Sequence, residues 1–326
     1  MELLVTALRR EAEGVLGVEL RHPAGAPLPA FVPGAHVDVA FPNGCTRQYS
    51  IASSAGDGSR YWLGIGLAPA SRGGSRYAHE RLRPGDRLQV GAPRALFQLD
   101  ADAAGHLFIA GGIGITPILS MIRWCIDHQR SWRLLYCVRS RRHAAYLETL
   151  APHAARCRLH ADDEQGGPAD LHASLRELPA GWHVYCCGPG AMMDAVSAGA
   201  GAAGVPAPAV HFERFAPPSA RGEAAEGGEG AEGAGPADGA FEVALARQGG
   251  RFTVPAGQSI LSVLEGHGLC LPSSCREGLC RSCEVPLLAG RADHRDYVLS
   301  EAEREANRSI LICVSRAAGG ELVLDL

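Results

Sequence analysis

The sequence predicts a multidomain β plus α/β protein: an antiparallel β-barrel, then a doubly wound parallel sheet, then a small C-terminal β-grasp domain. Three observations predict it. Over the first hundred residues, short runs of alternating polarity are separated by Gly and Pro turns, the rhythm of a closed barrel. After about Ala101 the rhythm changes to strand–helix–strand, which requires parallel strands with crossover helices. A stretch with no core-forming residues, 216–239, then sets residues 240–326 apart as a unit of their own.

Each element has its local reason. In residues 1–101, His36–Phe41 alternates, Asn43-Gly44 predicts a type I′ turn, and Tyr49–Ala52 returns. Tyr61–Leu67 is a further strand, and Pro84-Gly85-Asp86 turns the chain into Leu88–Val90. In residues 102–215, strands are expected at Leu107–Ala110, Arg133–Val138, Arg158–His160 and His183–Cys187. Helices are expected at Ile118–His128, Ala144–Leu150, Leu171–Leu178 and Ala191–Ala202. Residues 216–239 contain only Ala, Gly, Glu, Pro, Ser, Arg and Asp, with a net charge of −4, so they predict a flexible, solvated, acidic linker. In residues 240–326, Phe241–Leu245 and Arg251–Val254 flank Gly249-Gly250 as a hairpin. Ser259 caps a helix over Ile260–His267, and strands follow at Leu311–Val314 and Leu322–Leu326.

Composition removes several function classes. All 31 basic residues are arginine, which excludes a lysine Schiff base and a Walker-A lysine. The chain's net charge of −4 argues against general nucleic-acid binding. The start, Met1 to Val5, has no basic region followed by an apolar core, so a cytoplasmic protein is expected. Leu107–Ile122 is too short and too rich in Gly and Pro to span a bilayer, so no membrane partner is expected.

The chemistry is carried by four motifs. Cys275-x4-Cys280-x2-Cys283, followed much later by Cys313, is the spacing of a plant-type [2Fe–2S] centre, in which one tight loop presents three thiolates and a distant fourth completes the set. A disulfide framework and a structural zinc site are the competing readings. Zinc sites pair two short couples where this chain has one, and disulfides suit secreted chains. Most of the other seven cysteines read as small buried apolar residues, and Cys270, one tight turn before the motif, reads as structural. The second motif, Gly111-Gly112-Ile113-Gly114-Ile115-Thr116-Pro117, follows a strand and opens a helix. Its glycines permit a tight turn, Thr116 can cap, and exposed N–H groups favour a pyrophosphate, although a packing turn looks the same. The third, Cys186-Cys187-Gly188-Pro189-Gly190, ends a later strand at the same ligand-binding edge. In the barrel, Arg47-Gln48-Tyr49-Ser50 and Ser71-Arg72-Gly73-Gly74-Ser75 suit a flavin. An aromatic ring lies against the isoalloxazine and Arg with backbone N–H groups holds its phosphate; a core tyrosine and a surface loop are the plain alternative.

In this order, with His211-Phe212-Glu213 between them and the last cysteine set, the motifs resemble the phthalate dioxygenase reductase family, which includes vanillate O-demethylase reductases, over essentially the whole chain. The resemblance implies an FMN-binding barrel, an NAD-binding sheet and a plant-type ferredoxin domain. It assigns FMN to Arg47, Tyr49, Ser50, Gly73, Gly74 and Ser75, with Phe215 shielding the ring, and the nicotinamide nucleotide to Gly112, Gly114, Thr116, Cys187, Gly188 and Pro189. NADH is implied as donor. Arg139, Arg141 and Arg142 after the second strand keep NADPH open, since arginine grips a 2′-phosphate. The implied role is reductase for a separate Rieske-type terminal oxygenase or demethylase, in a monomeric chain serving aromatic catabolism or quaternary-amine oxidation. Flavin would take a hydride pair and release electrons singly to the cluster. A flavin/iron–sulfur redox sensor or general electron carrier with no dedicated oxygenase is the alternative. Arg281 departs from the family, which often has glycine after the second ligand.

Overall fold

A computed structural model describes residues 1–69, 71–217 and 239–326; the predicted linker lies almost wholly outside the described residues. The chain divides into two compact units, Met1–Phe215 and Ala216–Leu326.

The first unit opens with six antiparallel strands: β1 (Glu2–Ala12), β2 (Val15–Arg21), β3 (His36–Ala40), β4 (Thr46–Ser50), β5 (Tyr61–Gly66) and β6 (Arg87–Val90), in the order β4-β3-β6-β1-β2-β5. The sheet closes on itself just past β4. Ile51 bridges Leu63, and the Ala52 N–H donates to Trp62 O at 2.7 Å. Closure leaves no free edge and surrounds a core of Leu3, Val5, Leu20, Val37, Ile51 and Leu63. Sequence reading had not singled out β1 and β2, whose pairing partners lie elsewhere in the chain. The type I′ turn is corrected. Asn43 keeps negative φ while Gly44 is at +82°, and Gly44 N–H donates to Phe41 O. Pro42 pins the first central position at φ near −65°, which rules out a primed turn. One short helix, α1 (Gly74–Glu80), follows β5.

Five parallel strands complete this unit: β7 (Gly105–Gly111), β8 (Trp132–Val138), β9 (Cys157–Ala161), β10 (Trp182–Cys187) and β11 (Val210–Glu213), in the order β11-β10-β7-β8-β9. The helices are α2 (Ile115–Asp127), α3 (Leu147–Leu150), α4 (Asp162–Gln165), α5 (Leu171–Arg176) and α6 (Gly190–Ala202). Alternation along β7 shows why both faces are covered. Phe108 joins Ile118 and Ile122 of α2, whereas Leu107 and Ile109 join Leu175 of α5 and Val196 of α6. The helix expected over Ala144–Leu150 shrinks to α3, because Tyr146 takes a left-handed φ of +62°.

The second unit is a mixed sheet of β12 (Phe241–Leu245), β13 (Arg251–Val254), β14 (Glu284–Asp293), β15 (Ser309–Leu311) and β16 (Arg316–Leu324), ordered β13-β12-β16-β14-β15. β12 and β16 run parallel, and the other pairs are antiparallel. α7 (Ile260–Gly266) packs Ile260 and Leu264 onto Val243, Ile310 and Leu322, capped as expected by Ser259 Oγ, which accepts from Ser262 N–H at 3.1 Å. The strand expected at Leu311–Val314 ends at Leu311, and the next begins at Arg316, before the predicted Leu322. α8 (Glu301–Ala306) opens on a capping box of Ser300 and Glu303, a Ser-x-x-Glu signal present in the sequence but not used. Among the described residues no helix is long and apolar enough to cross a membrane.

Candidate cofactor sites

In a sheet ordered β11-β10-β7-β8-β9 the chain reverses direction between β7 and β10, and ligands bind outside the carboxyl ends of such a strand pair. Both glycine turns lie there and interlock. A Cβ on Gly114 would stand 2.1 Å from Cys187 O, and one on Gly111 would stand 2.6 Å from Pro189 Cδ and 3.0 Å from Gly188 Cα. Gly112, at φ +53°, faces open space. α2 and α6 start from these turns with neither a side-chain cap nor an acidic residue in the first turn, so their N–H groups remain available to an anion. Thr116 does not cap. It sits inside α2, donates to Ile113 O at 2.9 Å, and turns its methyl toward Gly64 of β5. Cys187 is fully buried, and burial pushes its thiol well up. Arg139 is exposed, its carbonyl accepts from Asp163 N–H at 3.1 Å, and its guanidinium has no partner among the described residues. Arg141 makes a two-pronged pair with Glu164 at 2.8 Å, and Arg142 pairs with Glu13.

The barrel motifs also meet. The Arg47 guanidinium donates to Arg72 O at 2.8 Å, stitching β4 to the loop before α1, and Asn43 Nδ2 donates to Gly73 O at 3.2 Å. A Cβ on Gly74 would lie 2.5 Å from Arg47 Cγ, and Gly73 has φ +95° with Cys45 Sγ 2.9 Å from its Cβ position, so only glycine forms this cradle. Ser75 Oγ donates to Ser71 Oγ. Tyr49 meets Phe41 edge-on at 6.1 Å, and burial raises its phenol above the ordinary range. Ser50 is buried with its Oγ unpartnered, a hydroxyl that a bound ring edge would satisfy. β5 links the two places. It neighbours the end of β4 through the Ile51–Leu63 bridge, and Gly66 packs against Ile113 of the glycine turn. Phe215 is 46% exposed beyond β11.

Register brings in a residue that sequence reading passed over as part of His-Phe-Glu. Glu213 pairs with Cys187 across β10 and β11, its Oε2 is buried without a partner, and burial raises its carboxyl to about 8. That shift favours the protonated, neutral form of this side chain at pH 7. A folded pKa above the ordinary 4.5 means the unfolded chain sheds this proton first, so the contribution to stability falls as pH rises from about 4.5 to about 8. Glu213→Gln is therefore expected to flatten the loss of thermal stability between pH 6 and 8; a slope equal to the parent's would disprove the raised carboxyl.

In the second unit, Cys280, Cys283 and Cys313 are buried and Cys275 half-buried. The Cys280 thiol donates to Ser282 Oγ at 3.2 Å. Its neighbour Cys275, with help from Ser282, lowers the Cys280 thiol against burial, and Cys313 likewise lowers Cys283. A two-iron centre takes two protein thiolates on each iron, and these four cysteines supply that number. All eleven cysteines lie among the described residues and are free thiols. Backbone N–H groups of Glu277 and Leu279 donate to Cys275 Sγ at 3.3 and 3.4 Å, while Ser282 N–H donates to Cys280 Sγ. Gly278 has φ +71°, and a Cβ there would meet Asp296 Cα at 3.0 Å, so this position demands glycine. Arg281 holds φ +55°, a conformation costing a non-glycine residue on the order of 1 kcal/mol.

Comparison with known proteins agrees with this layout. Residues 92–210 match the family model for the dimethylamine monooxygenase subunit DmmA-like N-terminal domain, and residues 243–318 match the 2Fe-2S iron-sulfur cluster binding domain. A toluene-4-sulfonate monooxygenase system reductase subunit of Comamonas testosteroni is 42% identical, over 99% of this chain and 98% of the relative. Phthalate dioxygenase reductase of Burkholderia cepacia is 37% identical, over 100% and 97%. The solved structure of a phthalate dioxygenase reductase, described as modular for electron transfer from pyridine nucleotides to [2Fe-2S], superposes with a TM-score of 0.73 at 36% identity, over 100% of this chain and 98% of that one.

Proposed function

The chain belongs to the phthalate dioxygenase reductase family, and from that premise we propose that it takes hydride from NADH and delivers single electrons to a separate terminal oxygenase of Rieske type. The four cysteines of the second unit, in a chain whose first unit carries two interlocked glycine turns after β7 and β10, carry this reading. FMN and a [2Fe–2S] cluster, when bound, supply the conversion of one electron pair into single electrons. The chain's own residues bind and orient. Arg47, Gly73, Gly74 and Ser75 hold the FMN phosphate, Tyr49 lies against the ring, Ser50 satisfies its buried hydroxyl on the ring edge, and Phe215 covers it. Gly112 and Gly114 present N–H groups to the pyrophosphate, Thr116 fixes the start of α2 against β5, and Cys187, Gly188 and Pro189 shape the nicotinamide pocket with Glu213 beside it. Cys275, Cys280, Cys283 and Cys313 ligate the irons.

The chain acts as a cytoplasmic monomer, and the oxidised substrate is chosen by the oxygenase. Anaerobic titration with NADH should bleach the flavin and then the cluster, in a protein carrying two irons and two sulfides per chain as that centre requires. A colourless chain, or flavin untouched by NADH, would reject the proposal. NADH is the preferred donor, because carboxylates already engage Arg141 and Arg142 and only Arg139 is free to meet a 2′-phosphate. Arg139→Ala should lower kcat/KM for NADPH by roughly tenfold, the loss of one charge-assisted contact, and leave that for NADH unchanged. A parent enzyme faster with NADPH would reverse the assignment.

A further inference from the structure

Arg281 lies between two cysteines of the ligand loop, in a left-handed conformation that glycine adopts freely. Its guanidinium donates to Glu303 Oε2 at 2.7 Å and Oε1 at 2.8 Å, donates to Val298 O at 3.0 Å, and stands 3.6 Å from Glu284. Glu303 is itself fixed, since its Oε2 accepts from Ser300 N–H at 2.7 Å in the capping box of α8. The same stretch grips the loop again. Tyr297 N–H donates to Gly278 O at 3.0 Å, and Arg304 of α8 donates to Asp296 O at 2.5 Å. An isolated surface ion pair stabilises little, but this one joins two anchored segments through several bonds, so its loss would free both.

We infer that Arg281 is a positioning residue for the iron–sulfur cluster: through Glu303 it locks the Cys280–Cys283 turn onto α8. The inference rests on the proposed reading of the loop as a [2Fe–2S] site. It also explains how this chain accommodates a side chain at positive φ, with the tether offsetting the backbone cost.

The test uses the full chain and three variants, Arg281→Ala, Arg281→Gly and Glu303→Gln. Cluster loss to an iron chelator is followed by visible circular dichroism, and cluster midpoint potential by dye equilibration. All three variants should lose the cluster roughly tenfold faster than the parent, the low end for partners of metal ligands. The potentials should separate. Both Arg281 variants fall, because a cation favouring the added electron is gone, while Glu303→Gln rises, because an anion is gone. If Arg281→Gly keeps its cluster as long as the parent, only the backbone conformation matters and the clamp is wrong. Potentials that move together or not at all would reject the positioning role. A parent chain free of iron and sulfide would instead overturn the proposed function, with this inference falling alongside it.

Discussion

Cys280→Ser is expected to abolish the [2Fe–2S] cluster while NADH still reduces the flavin at the parent rate. Cys280 is buried in the middle of the ligand loop, where its thiol donates to Ser282 Oγ at 3.2 Å. A serine hydroxyl is a shorter, harder and far less acidic donor than a thiol, and cluster affinity depends on thiolate. Because ligand binding energy is also folding energy, the second unit should melt earlier as well. The first unit keeps its own cores around Leu63 and around Phe108, and both nucleotide motifs lie within it. Iron and sulfide analysis with stopped-flow flavin reduction separates the effects. Loss of flavin from the variant would show that the units are not independent.

Gly114→Ala should slow hydride transfer by about a hundredfold without releasing FMN. The added methyl would lie 2.1 Å from Cys187 O, backbone against backbone, so the two turns have to move apart. Misplacing a reacting pair by about 1 Å can cost on the order of 10²-fold in rate. Gly112→Ala is the control. It meets no atom within 4 Å and suffers only its positive φ, on the order of 1 kcal/mol, so its loss should be far smaller. Single-turnover flavin bleaching at saturating NADH reads both. Equal rates in the two variants would mean that the interlock of the turns does not govern the geometry.

The sequence by itself determined what is local. Cysteine spacing named a two-iron loop because ligand separation along a tight turn is a property of neighbours. The change from alternating runs to strand–helix repeats placed the barrel and the sheet, and a capping serine placed α7, because periodicity and caps act within a few residues. Only the tertiary structure decided what depends on distant partners. β1 and β2 exist through pairing with each other, with β5 and with β6, and the turn at Asn43 followed Pro42 rather than the dipeptide rule. The Glu213 carboxyl is pushed up because register half-buries it beside Cys187, and Thr116 turned from cap to packing contact because β5 lies over α2. Arg281, a mere departure in the sequence, became a tethered residue once α8 brought Glu303 to it. Burial and pairing are set by which segments the fold brings together, and no window of neighbouring residues contains that information.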